Sequence, residues 1–154
     1  MAILSAFKPG WKFWDFVDTL NYILSSLVEG INDAWVNFAT AEGAQTGTFT
    51  VAYKGLRYKK IGKTIHIAGH IIPVFKGSAA GYATLTLPFT ATSTNAIDGS
   101  PNYWELSGYD DQNKLPLRVY VPQGSTTVRI SRMDGTTAIY ENARLYFSGT
   151  YEAA

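Results

Sequence analysis

Lys63-Thr64-Ile65-His66-Ile67-Ala68 sets Ile65 and Ile67 on one side and polar residues on the other, with Gly62 ahead of it as a turn residue. A period of two is the signature of a strand with one face in a core. The same alternation recurs along most of the chain. Thr48-Phe49-Thr50-Val51-Ala52-Tyr53 precedes it, and Tyr82-Ala83-Thr84-Leu85-Thr86-Leu87 follows and stops at Pro88. Leu117-Arg118-Val119-Tyr120-Val121 runs into a Pro122-Gln123-Gly124 turn, and Thr126 to Ser131 comes next. Met133-Asp134-Gly135 carries an Asp-Gly turn signal, after which Ala138 to Tyr140 and Ala143 to Tyr151 close the chain. Short strands separated by Gly, Pro and Asn imply a mainly β domain, an antiparallel β-sandwich or jelly-roll knob. Thr90 to Asn102 is polar and turn-rich, and is expected to form a loop or irregular crossover.

Composition agrees. The chain of 154 residues is 46% hydrophobic, 14% aromatic and only 16% charged, which argues against disorder and suits strands. Its length allows a sizeable core without staples. There is no cysteine, which excludes disulfide frameworks and thiolate chemistry. The net charge of +1 supplies no field toward nucleic acid or anionic lipid. No cleavable leader is read at the start, and no apolar run is long enough for a membrane span.

Upstream of the strands the period changes. Phe13, Val17, Leu20, Leu24, Leu27, Ile31, Ala34 and Phe38 recur in steps of four and three, the spacing of a coiled-coil seam. A helix over residues 11 to about 40 is expected, entered after Pro9-Gly10, weakened at Gly30 and left at Glu42-Gly43. Trp14, Phe16, Tyr22, Ile23, Val28, Trp35 and Val36 lie off that seam, so the helix requires cover on more than one side. The expected division is therefore 1–42, a helical trimerisation and anchoring segment, and 43–154, a β knob. Residues 1–42 hold two bases against five acids, net −3, and residues 43–154 hold eleven against seven, net +4.

Candidate chemistry is sparse. His66 and His70 stand four apart on one strand and share a face unless Gly69 inserts a bulge. Two ligands alone make no metal site, although one His from each of three chains would supply three. Asp110-Asp111, with Glu105, are acids without the enforced opposition a glycosidase needs. There is no G-x-S-x-G, P-loop or dinucleotide fingerprint. No enzyme and no cofactor are therefore expected. Lys54, Arg57, Lys59, Lys60 and Lys63 interleave with Tyr53 and Tyr58. They could track a single strand of nucleic acid, or simply protect a sheet edge. Tyr103, Trp104, Tyr109, Asp110 and Asp111, with Asn102, Gln112 and Asn113, combine flat rings with hydrogen-bonding groups in a stretch read as loop, the expected ligand-binding set. The alternative is that Tyr103 and Trp104 belong to a core strand.

The run Tyr53-Lys54-Gly55-Leu56-Arg57-Tyr58-Lys59-Lys60-Ile61-Gly62-Lys63, continuing through His66 to Ile71, resembles a segment of bacteriophage tail-fibre and tailspike terminal domains. Leu87-Pro88-Phe89 and the ending Leu145-Tyr146-Phe147-Ser148-Gly149-Thr150-Tyr151 are similar to later parts of those domains. The resemblance covers roughly 46–90 and 138–154, and 91–137 matches nothing in it. It implies a homotrimeric virion structural protein made in the host cytoplasm, with the helix joining the knob to other virion proteins. The β-branched Val17 and Ile31 opposite Leu20 and Leu27 lean instead to two strands. The chain has no long shaft, so a short fibre or tail-tip protein whose knob binds a host-surface glycan is the leading expectation. A capsid decoration or head-fibre protein binding the capsid lattice is the alternative, and a single-strand nucleic-acid binder the third.

Overall fold

The computed structural model describes residues 17–24, 34–93 and 103–154. The chain divides into two compact units, Met1–Ala34 and Trp35–Ala154. In the first, residues 17–24 are helical. Val17 is half-buried there, and Leu20 and Leu24 are exposed. Leu27 and Ile31 lie outside the described residues.

The second unit is mainly β, with nine strands: β1 Val36–Phe38, β2 Glu42–Thr46, β3 Thr50–Ile61, β4 Thr64–Phe75, β5 Ala80–Thr86, β6 Tyr103–Asp110, β7 Leu115–Pro122, β8 Thr127–Arg132 and β9 Leu145–Glu152. They form one sheet in the order β1-β3-β4-β9-β6-β7-β8-β5-β2, antiparallel throughout. Three nested pairings organise it: β6 with β7, β5 with β8 and β4 with β9. The two edge strands, β1 and β2, are consecutive and joined by residues 39–41 alone. Three linking residues reach about 10–14 Å at full extension, so the sheet curls until its edges approach. The link is latched to the end of β5. Thr40 Oγ1 donates to the Thr86 carbonyl at 2.8 Å, Ala41 N donates to Thr86 Oγ1 at 2.8 Å, and Thr86 N donates to the Ala41 carbonyl.

The alternating residues fill the inside of the curl. Ile65, Ile67, Ile71, Leu85, Val121, Val128, Ile130 and Leu145 are all buried there. The Leu87-Pro88-Phe89 run closes one end. Tyr151 Oη donates to the Phe89 carbonyl at 2.9 Å, Tyr58 meets the Phe89 ring edge-on at 5.4 Å, and Lys60 Nζ sits 4.6 Å from its centre. Burial pushes the Tyr151 phenol up to about 12.

Four expectations are corrected. The helix does not continue to residue 40. Ala34 is exposed and non-helical, and Phe38 is a strand residue packed against the core rather than a seam residue. Val36 and Phe38 flank Asn37 with a period of two and pair with Tyr58 and Leu56. That pairing satisfies backbone groups and buries Phe38, which outweighs a seam spacing fitted across the same residues. Likewise Glu42-Gly43 begins β2 instead of ending a helix. Ala138 to Tyr140 forms no strand, although Ala138 and Ile139 are buried. His66 and His70 do share a face as expected, since pairing runs unbroken through Gly69 on both sides, to Leu56 and to Phe147. Finally, Tyr103 to Tyr109 is strand β6 rather than loop.

Candidate functional site

Period two divides the sequence-derived binding set. On β6, Tyr103, Glu105, Ser107 and Tyr109 face away from the core, while Trp104, Leu106, Gly108 and Asp110 face toward it. Trp104 packs against the core cluster, so it cannot share a ligand with Tyr103 and Tyr109. Those two tyrosines are six strand residues apart, about 20 Å. Asp110 is 1% exposed. Its carboxylate accepts from Tyr140 Oη at 2.7 Å, from the Gln112 and Asn113 amides at 3.1 and 3.3 Å, and from Asn113 Nδ2 at 3.2 Å. It anchors the β6–β7 turn and is removed from the binding set. Asp111 lies in that turn, paired with Lys114 Nζ at 2.7 Å, and this contact holds its carboxyl below the ordinary value. Asn102 lies outside the described residues.

The basic cluster also splits. Arg57 and Lys59 stand opposite Ala68 and His66 on the outer face, whereas Lys54, Tyr58 and Lys60 stand opposite the inward Ile71, Ile67 and Ile65. Lys54 pairs with Glu42, and Arg57 lies 4.9 Å from the Trp35 ring. Beyond its three pairs with β1, β3 is a sheet edge on that side, and lysines there block edge-to-edge pairing. His66 and His70 share the outer face, about 13 Å apart along the strand. Among the described residues no three His, Asp or Glu side chains converge on a metal position.

A groove of about 980 Å³ opens on the outer face of β3, β4, β9 and β6. Cross-strand register builds it from two rows. One row runs Arg57, Ala68, Ser148, Ser107, and the next runs Gly55, His70, Tyr146, Tyr109. The first row makes a floor of small side chains with Arg57, stacked on Trp35, at one end. The second makes an aromatic wall, in which the His70 and Tyr146 rings are 6.1 Å apart and Tyr109 is 42% exposed. Gly55 leaves room for the His70 ring, since a Cβ would stand 2.8 Å from His70 Cε1 and make that ring shift. No Asp or Glu is among the described residues lining the groove.

Tyr109 is the one residue of the expected ligand-binding set that lines this groove, although Lys54 and Arg57 of the basic cluster also line it. In the sequence His70 stands out as a candidate metal ligand, and Tyr146 and Ser148 as parts of the last strand. A signal for them was present: once Leu145 and Phe147 are assigned inward, Tyr146 and Ser148 must face out. No family model, curated protein or solved structure matches the chain.

Proposed function

We propose that the β unit is a glycan-binding knob of a phage virion protein, a short fibre or tail-tip component that binds without cleaving. The groove carries this reading. A trough of Ala68, Ser148 and Ser107 bordered by His70, Tyr146 and Tyr109 offers flat apolar rings beside hydroxyl donors and acceptors. Those are the two kinds of group that a sugar, with its apolar ring face and its hydroxyl rim, requires. That no carboxylate is among the described residues lining it favours binding over hydrolysis, which uses a carboxyl pair. The virion assignment draws on the resemblance of 46–90 and 138–154 to tail-fibre terminal domains. It is also supported by the nested pairing of β4–β9, β5–β8 and β6–β7, the order in which a jelly roll winds.

A microarray of bacterial surface glycans tests the function. Wild-type protein should bind at least one glycan, and Ser148→Trp, which plugs the floor from an outward position, should lose at least about tenfold in affinity. Binding to no glycan, or equal binding by S148W, defeats the reading.

We further propose that the N-terminal unit trimerises the chain. Among the described helical residues, Leu20 and Leu24 are 42% and 49% exposed, so their share of the heptad stripe is uncovered. Light scattering after size exclusion should return three times the 16.9 kDa chain mass. A mass of one or two chains excludes the trimer.

A further inference from the structure

The outer face continues past the groove across β6. Ser107, on the floor, pairs with Arg118 of β7, and the face then extends over β8 to β5. There the side chains alternate ring and cation. The Arg129 guanidinium lies 4.6 Å from the Tyr82 ring centre and 6.0 Å from that of Tyr120. Arg118 lies 5.1 Å from Tyr120 and 5.6 Å from Tyr103. The sequence Tyr82, Arg129, Tyr120, Arg118, Tyr103 therefore forms one ladder over four strands.

Neither arginine has a carboxylate partner among the described residues. Stacking occupies the flat face of a guanidinium and leaves the in-plane N–H fork for an anion. Apart from Arg118 reaching Tyr103 Oη at 3.5 Å, no acceptor among the described residues takes these donors, and Arg129 Nε is buried with none of them. No described carboxylate lies within ion-pair distance of either guanidinium, so their remaining donors are open to solvent or to an outside anion. Both lie beside the same Tyr120 ring, so their separation cannot exceed the sum of 5.1 and 6.0 Å.

We propose that Arg118 and Arg129 form an anion subsite for the carboxylates of an acidic saccharide whose chain extends into the adjoining groove. The proposal rests on the glycan reading of that groove and adds the ligand's charge. Planar forks match carboxylates bidentately, and two of them suit charges spaced along a sugar chain. A nucleic-acid backbone fits less well. Glu105, opposite Tyr120 on the same face, repels a phosphate at every nucleotide but tolerates a chain with gaps between its charges.

A hyaluronan octasaccharide, whose carboxylates fall on alternate rings, and its methyl ester, which has the same rings without the charges, are titrated into the full-length protein by calorimetry. The acid should bind at least tenfold more tightly than the ester. The double variant R118Q/R129Q should remove that preference while leaving the ester's affinity unchanged. R118K, which keeps the charge and loses the fork, should weaken the acid alone. Circular dichroism melts confirm that each variant is folded, and Arg118→Gln alone serves where the double variant is not. Equal binding of acid and ester overturns the subsite while the groove reading stands. An acid preference that survives R118Q/R129Q overturns it as well. Binding of neither overturns the subsite, and the glycan array then decides the groove separately. Tighter, arginine-dependent binding of an oligodeoxythymidylate of equal charge overturns it in favour of nucleic acid.

Discussion

Asp110→Ala is expected to destabilise the β unit by about 3 kcal/mol, because it removes the acceptor for several donors at once. The carboxylate is 1% exposed and takes the Tyr140 hydroxyl, two turn amides and the Asn113 amide group. Without it, the β6–β7 turn loses the group that orders Gln112 and Asn113, next to Lys114 with its φ of 57°. The Tyr140 phenol would be left half-buried without its acceptor. Burial first, and then the Asp110 hydrogen bond, push that phenol well above its ordinary value. Tyr140→Phe removes one donor and leaves the carboxylate its other partners, so it should cost only about 1–1.5 kcal/mol. In urea unfolding, the D110A midpoint should fall with little change of slope, and Y140F should lie between it and wild type. A D110A midpoint equal to that of wild type would show that Asp110 is not the anchor of this turn.

The same residue marks the boundary of what the sequence made legible. Alternation revealed most of the strands, because a sheet with one buried face imposes period two on its side chains. It also carries the facing of each residue within a strand, yet Tyr103, Trp104 and Asp110 stand in a stretch whose turn-forming and polar residues read as loop. A single polar run, Tyr109-Asp110-Asp111-Gln112-Asn113, spans a strand end and its turn. Nothing local distinguishes the carboxylate that turns inward from the one that meets Lys114. Tyr140, which identifies Asp110 as structural, is thirty residues away. The groove was hidden for a related reason. Its floor joins positions 57, 68, 148 and 107, which come together only through the β4–β9 and β9–β6 pairings. Pairing of strands distant in sequence leaves no periodic trace. The false helical continuation shows the converse error. Ala34 to Phe38 fits a seam step of four, but Val36, Asn37 and Phe38 fit a strand equally well, and only the partner β3 decides between them.

Phe147→Ala is expected to cost about 4 kcal/mol, the range for emptying a buried phenylalanine site. Phe147 is 4% exposed on β9, and its register partners on both neighbouring strands are glycines, Gly69 on β4 and Gly108 on β6. The ring uses that room. A Cβ on Gly69 would stand 2.5 Å from Phe147 Cζ and 2.8 Å from Cε1. Gly69→Ala alone therefore overpacks the core and should cost about 2 kcal/mol. In a chain that already carries F147A the ring clash is gone, leaving only the 3.0 Å approach to the Gly55 carbonyl oxygen, and the added methyl fills part of the vacated space. The double variant should then be more stable than the sum of the single losses predicts, by at least about 1 kcal/mol. Additive losses in urea unfolding would mean that Gly69 serves backbone conformation rather than the ring. The packing also reaches the candidate site. Ala68 precedes Gly69 and Ser148 follows Phe147, so both floor residues are carried by the backbone that this ring and its glycines hold in register. A floor of small side chains keeps its shape only while the layer beneath it is fixed, and Phe147 between two glycines fixes it.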